Sequence, residues 1–77
     1  MTDYKNIVAF SNGYAASVVS NQYSYGGNKG LFEVAVMYDG EIVYDTPVTN
    51  NVIGFLDFKG VADTLVQIEN LPYRNPL

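Results

Sequence analysis

Leu31–Tyr44 reads LFEVAVMYDGEIVY, and this stretch decides the fold. It carries the longest regular alternation in the chain: Phe32, Val34 and Val36 point one way, Glu33, Ala35 and Met37 the other. Asp39-Gly40 then turns the chain back, and two registers compete. A two-residue Asp39-Gly40 loop sets Tyr38 against Glu41 and puts Val34 on a face with Asp45. A three-residue loop, Tyr38-Asp39-Gly40, pairs Met37 with Glu41, Val36 with Ile42 and Val34 with Tyr44. The second gathers Phe32, Val34, Val36, Ile42 and Tyr44 on one face. It leaves Glu33, Ala35, Met37, Glu41, Val43 and Asp45 on the other. Because a slip of one residue exchanges the faces, the cleaner segregation predicts the three-residue loop, with Gly40 as its left-handed residue.

Working outward toward the N-terminus, Ile7–Phe10 and Tyr14–Ser20 read as two strands about the turn signal Ser11-Asn12-Gly13. A three-residue loop there puts Val8, Phe10, Tyr14, Ala16 and Val18 on one face. A two-residue Asn-Gly turn is the competing register, which segregation excludes less sharply. Residues Met1–Asn6 read as a polar lead-in. Between the hairpins lies NQYSYGGNKG, Asn21–Gly30, a glycine- and asparagine-rich loop.

Toward the C-terminus, DTPVTNN (Asp45–Asn51) is a bend in which Pro47 stops further pairing. Val52–Leu56, interrupted by Gly54, fits either an edge strand or a helical turn. From Phe58 to about Asn70, the residues Phe58, Val61, Ala62, Leu65 and Ile68 recur at helical spacing. Asp57 is placed to cap that helix, with Leu56 and Val61 as a hydrophobic staple. Gly60 weakens its first turn by about 1 kcal/mol relative to alanine. Pro72 ends it, and residues 72–77 read as a tail. The expected architecture is α+β: one domain, residues 1–77, a four-stranded antiparallel β-meander (strands about 7–10, 14–20, 31–37 and 41–45) with one C-terminal α-helix (about 58–70) packed on one face.

Composition narrows the function. A chain of 77 residues buries roughly 60% of its unfolded surface, enough for one small core. Apolar residues make up 48% and charged residues 16%, which opposes disorder. The net charge of −4 argues against nucleic acid and anionic membrane as partners. No apolar run is long enough to span a bilayer, and MTDYKN lacks a signal-peptide pattern, so a cytoplasmic protein is expected.

Chemistry is sparse. The chain has no histidine and no cysteine, which removes imidazole acid–base work, thiol nucleophiles and the usual transition-metal ligands. Three carboxylates, Glu33, Glu41 and Asp45, share a face in the expected register. They form the one candidate proton- or cation-binding group, although a solvated outer face explains them more simply. SYGGNKG (Ser24–Gly30) resembles a phosphate loop only superficially, since a strand follows it where a helix N-terminus is required. Neither enzyme activity, cofactor nor metal is expected. The candidate partner-binding residues are Tyr23, Tyr25, Gly26, Gly27, Asn28 and Lys29 on the long loop, with Met37 and Val43 on the sheet face away from the helix.

FSNGYAASVVS, SYGGNKGLFEVAV and YDTPVTNNVIGFLD together resemble small accessory proteins of tailed bacteriophages, over roughly Phe10–Asp57. The resemblance carries no functional residues with it. It implies a viral product acting in the bacterial cytoplasm by contact with a host or phage protein. The alternative expectation is a structural protein that forms a homodimer, or docks to a virion component, through its open sheet face.

Overall fold

The computed structural model describes residues 3–74 and has the α+β architecture. Strands β1 (Tyr4–Ala9), β2 (Tyr14–Ser20), β3 (Phe32–Tyr38) and β4 (Glu41–Ile42) lie side by side in chain order. A fifth strand, β5 (Val52–Leu56), also pairs with β3, and helix α1 (Phe58–Glu69) closes the order. The meander and the helix stand as expected, and Val52–Leu56 resolves to a strand. β1 begins at Tyr4 rather than Ile7, because the lead-in pairs with β2 (Tyr4 opposite Ser20, Lys5 opposite Val19). Backbone pairing at an edge does not require apolar side chains. The expected tail beyond Arg74 lies outside the described residues.

The first hairpin has the three-residue loop. Ala9 faces Ala15, the Phe10 amide donates to the Tyr14 carbonyl at 2.9 Å, and Gly13 closes the turn at φ 89°. Tyr14, Ala16 and Val18 are therefore buried on one face of β2. The second hairpin corrects the expectation. Tyr38 faces Glu41 and Met37 faces Ile42, so the loop is Asp39-Gly40 alone. Both residues are left-handed, at φ 54° and 82°, which is the type I′ geometry whose twist matches that of the flanking strands. The slip of one residue reverses β4: Val43 turns to the core, while Ile42 and Tyr44 are exposed. Turn twist outweighed side-chain segregation here.

β4 and β5 take successive stretches of a single edge of β3. Met37 faces Ile42, the Val43 amide donates to the Val36 carbonyl at 2.9 Å, and Ala35 then faces Val52. The strand expected over 41–45 thus breaks off early, and the chain makes an excursion over residues 44–51 before resuming the same ladder. Thr46 is buried within the excursion, its hydroxyl bonded to the carbonyl and amide of Thr49. Val48 packs against the core.

α1 begins as expected. The Asp57 carboxylate accepts from the Gly60 amide at 2.7 Å. Gly60 has a packing reason, since a Cβ there would stand 2.9 Å from Leu56 Cδ2. The helix lies against β2, β3 and β5. Ile68 and Leu71 complete a core with Tyr14, Ala16, Val18, Val34 and Val36. Its C-terminus is held by a residue of the first turn. The buried Asn12 side chain donates from Nδ2 to the carbonyls of Ile68 (2.9 Å), Leu71 (2.9 Å) and Glu69 (3.2 Å), and its Oδ1 accepts from the Tyr14 amide at 3.0 Å. Free carbonyls at a helix end need partners, and buried ones cannot use water. Asn12→Ala orphans them, so urea denaturation should show a loss of about 2 kcal/mol. The neighbouring exposed Ser11→Ala should stay within about 0.5 kcal/mol of wild type.

Candidate functional site

The loop from Asn21 to Gly30 is a built structure. Asn21 Oδ1 accepts from the amides of Tyr23 (2.8 Å) and Ser24 (2.9 Å), and the Ser24 hydroxyl bonds back to Asn21. A 3-10 turn over Gly27–Lys29 follows. Gly26 and Gly27 are buried, and so are not available to a partner. A Cβ on Gly27 would sit 1.7 Å from the Asn21 carbonyl oxygen, so that contact demands glycine. Asn28 and Lys29 are exposed, and the tyrosines project outward, Tyr23 87% and Tyr25 59% exposed.

This loop also buttresses β5. The Tyr25 carbonyl accepts from the Phe55 amide at 3.1 Å, and Gly26 lies against the Phe55 backbone. At that point Leu56 pairs with Phe32 and Ile53 with Val34, so Gly54 and Phe55 together oppose Glu33 in a bulge. Phe55 is left-handed at φ 58° and 58% exposed. An aromatic in that conformation costs on the order of 1–2 kcal/mol.

The three carboxylates do not form a site. Glu33 accepts from the Tyr25 amide at 2.9 Å. Glu41 faces Tyr38 on the helix side of the sheet. Asp45 pairs with Arg74, whose guanidinium also lies over the rings of Tyr14 (5.5 Å) and Tyr38 (5.3 Å). Among the described residues no three His, Cys, Asp or Glu side chains cluster to hold a metal ion. The open sheet face is less apolar than expected as well. Met37 is half-buried there, Ala35 is already buried, and Val43 has gone to the core face. Ile7 and Ile42 remain exposed on it.

A concavity lies on the helix side of the sheet. An open groove of ≈ 440 Å³ runs between α1 and β1, lined by Tyr4, Val18, Phe32, Phe58, Val61, Ala62 and Leu65. Val18 forms its floor. Phe32 is flanked by Tyr4 in an edge-to-face contact (centroids 5.5 Å) and by Phe58 (5.4 Å). Phe58 is 81% exposed. The groove exists because α1 covers β2, β3 and β5 while β1 extends past it, and the polar lead-in turns out to supply a wall through Tyr4. Sequence reading placed Phe58, Val61, Ala62 and Leu65 in one core-facing stripe. No local signal separates the groove residues from core residues, since an apolar arc of this width is ordinary for a helix packed on a sheet.

No helix among the described residues is long and apolar enough to cross a membrane. No family model matches the chain, and comparison with curated protein sequences and with solved structures likewise finds no match.

Two outcomes follow from the packing. Gly27→Ala should lower the melting temperature markedly, whereas Tyr23→Ala should leave it nearly unchanged, as scanning calorimetry would show. The hydrogen bond and charge of Arg74 hold the Asp45 carboxyl below its ordinary value of 3.8. A lowered folded-state pKa stabilises above the unfolded value and loses that effect as pH falls through the folded one. The stability gap between wild type and Asp45→Asn should therefore be present at neutral pH and close progressively below about pH 4, as read by urea denaturation across pH.

Proposed function

We propose that this protein is a small non-enzymatic binding module that receives a partner protein in the groove between α1 and β1. The observation that carries this reading is Phe58, a helix-borne phenylalanine left 81% exposed on the rim of a groove whose lining is apolar but for the Tyr4 hydroxyl. Apolar surface gathered in a concavity is the usual form of a recognition site, since filling it removes that surface from water. The lack of histidine and cysteine and the dispersal of the carboxylates support a binding role over catalysis. The resemblance read in the sequence favours a host or phage protein, met in the bacterial cytoplasm, as that partner. A second reading, self-assembly through the open sheet face, has the exposure of Ile7 and Ile42 in its favour.

Site-specific photo-crosslinking separates these readings. Benzoylphenylalanine placed in turn at Phe58, at Tyr23 and at Ser17 on the open face should give a heterologous adduct from position 58 alone. Adducts confined to position 23 would move the site to the loop. Adducts of twice the chain mass from position 17 would establish self-assembly instead.

A further inference from the structure

We infer that the groove is shaped for a basic amphipathic helix of a partner protein, laid over β1 alongside α1. The inference rests on the groove being the binding surface. Three observations choose this occupant: the width left on the sheet, the chemistry of the walls and the charge at the rim.

The sheet is four strands across, with β4 and β5 sharing one position. At about 4.8 Å per strand that is roughly 19 Å, whereas a helix with its side chains is about 10–12 Å wide. One helix cannot cover such a face. α1 sits against β2, β3 and β5, so roughly 7–9 Å of sheet over β1 stays uncovered, and a second helix laid there would overhang the edge strand.

The walls decide between helix and strand. The only polar side-chain atom among the lining residues is the Tyr4 hydroxyl. An extended segment lying in the groove would find almost no partners there for its amides and carbonyls, and buried backbone groups must be paired. A helix satisfies its own. α1 already offers the facing ridge, Phe58, Ala62 and Leu65, into which an apolar stripe can pack.

The rim decides the sign. Lys59 and Arg74 are engaged by Asp63 and Asp45. Lys5 alternates to the face away from Tyr4. The ridge of α1 instead ends in Glu69, and Asp3 precedes Tyr4; both are exposed and form no ion pair among the described residues. With a net charge of −4 behind them, these carboxylates favour a cationic partner.

The test uses fluorescence anisotropy with labelled peptides on the intact protein. The probe is a helical peptide of roughly four turns with leucine on one face and lysine on the other. Its comparators are the same helix with glutamate for lysine, a scrambled sequence, and an alternating valine–lysine strand peptide. The leucine–lysine helix should bind at least about tenfold tighter than any comparator. Ala62→Arg, which fills the groove, should remove binding, while the matched charge change Gln67→Arg on the solvent side should retain it. Circular dichroism would confirm that both variants remain folded.

Equal binding of the scrambled or glutamate peptide, preference for the strand peptide, or equal weakening by Gln67→Arg would each overturn the inference. So would a concentration-dependent dimer that Ala62→Arg dissolves, since the occupant would then be a second copy. If no peptide binds while position 58 still crosslinks a protein, the helix inference falls and the binding module stands. If both fail, both fall.

Discussion

A single carboxamide joins the beginning of this fold to its end. Asn12, in the first turn, gathers three carbonyls from the last turn of α1 and just beyond it, and accepts an amide from its own hairpin. These contacts span 56 to 59 residues of chain for the helix partners. They fix where the C-terminal end of the helix sits on the sheet. Ile68 and Leu71, flanking the bonded carbonyls, then reach Tyr14, Ala16 and Val36 in the core. With that end anchored over β2 and β3, the path of the remaining helix follows, and so does the strip of sheet it fails to cover.

That uncovered strip is a consequence of proportion. One helix of this diameter protects about half of a sheet four strands wide. The excursion between β4 and β5 helps at one end, where Val43 and Val48 close over the core. At the other end Tyr4, Phe32 and Phe58 pack ring to ring but stay accessible from solvent. The groove therefore sits at the end of the sheet away from the Asn12 anchor. Rigidity and recognition occupy opposite ends of one helix.

The hairpins show how local and distant forces compete. At Ser11-Asn12-Gly13 the face pattern only narrowly favours the three-residue loop over an Asn-Gly turn, and that loop is the one formed. At Asp39-Gly40 face pattern and turn conflict. Moving Val43 inward exposes Ile42 and Tyr44, yet the type I′ turn prevails, because its twist continues that of the strands and Val43 still finds the core. Two adjacent left-handed residues were legible in Asp-Gly itself. The interruption of the second strand was partly so, through Pro47, but nothing local announces that Val52 resumes the ladder Val43 left.

Local chemistry thus determined the meander, the helix with its Asp57 cap, and the lack of an imidazole or thiol site, because each rests on residue type and short-range spacing. Tertiary structure alone decided that Gly26 and Gly27 are packing residues and that Glu33, Glu41 and Asp45 stand apart. It also decided that Phe58 and Ala62 face a void and not a core. Whether an apolar stripe is covered depends on the width of what it packs against. That width is set by strands far away in the chain, which no window of sequence around the helix contains.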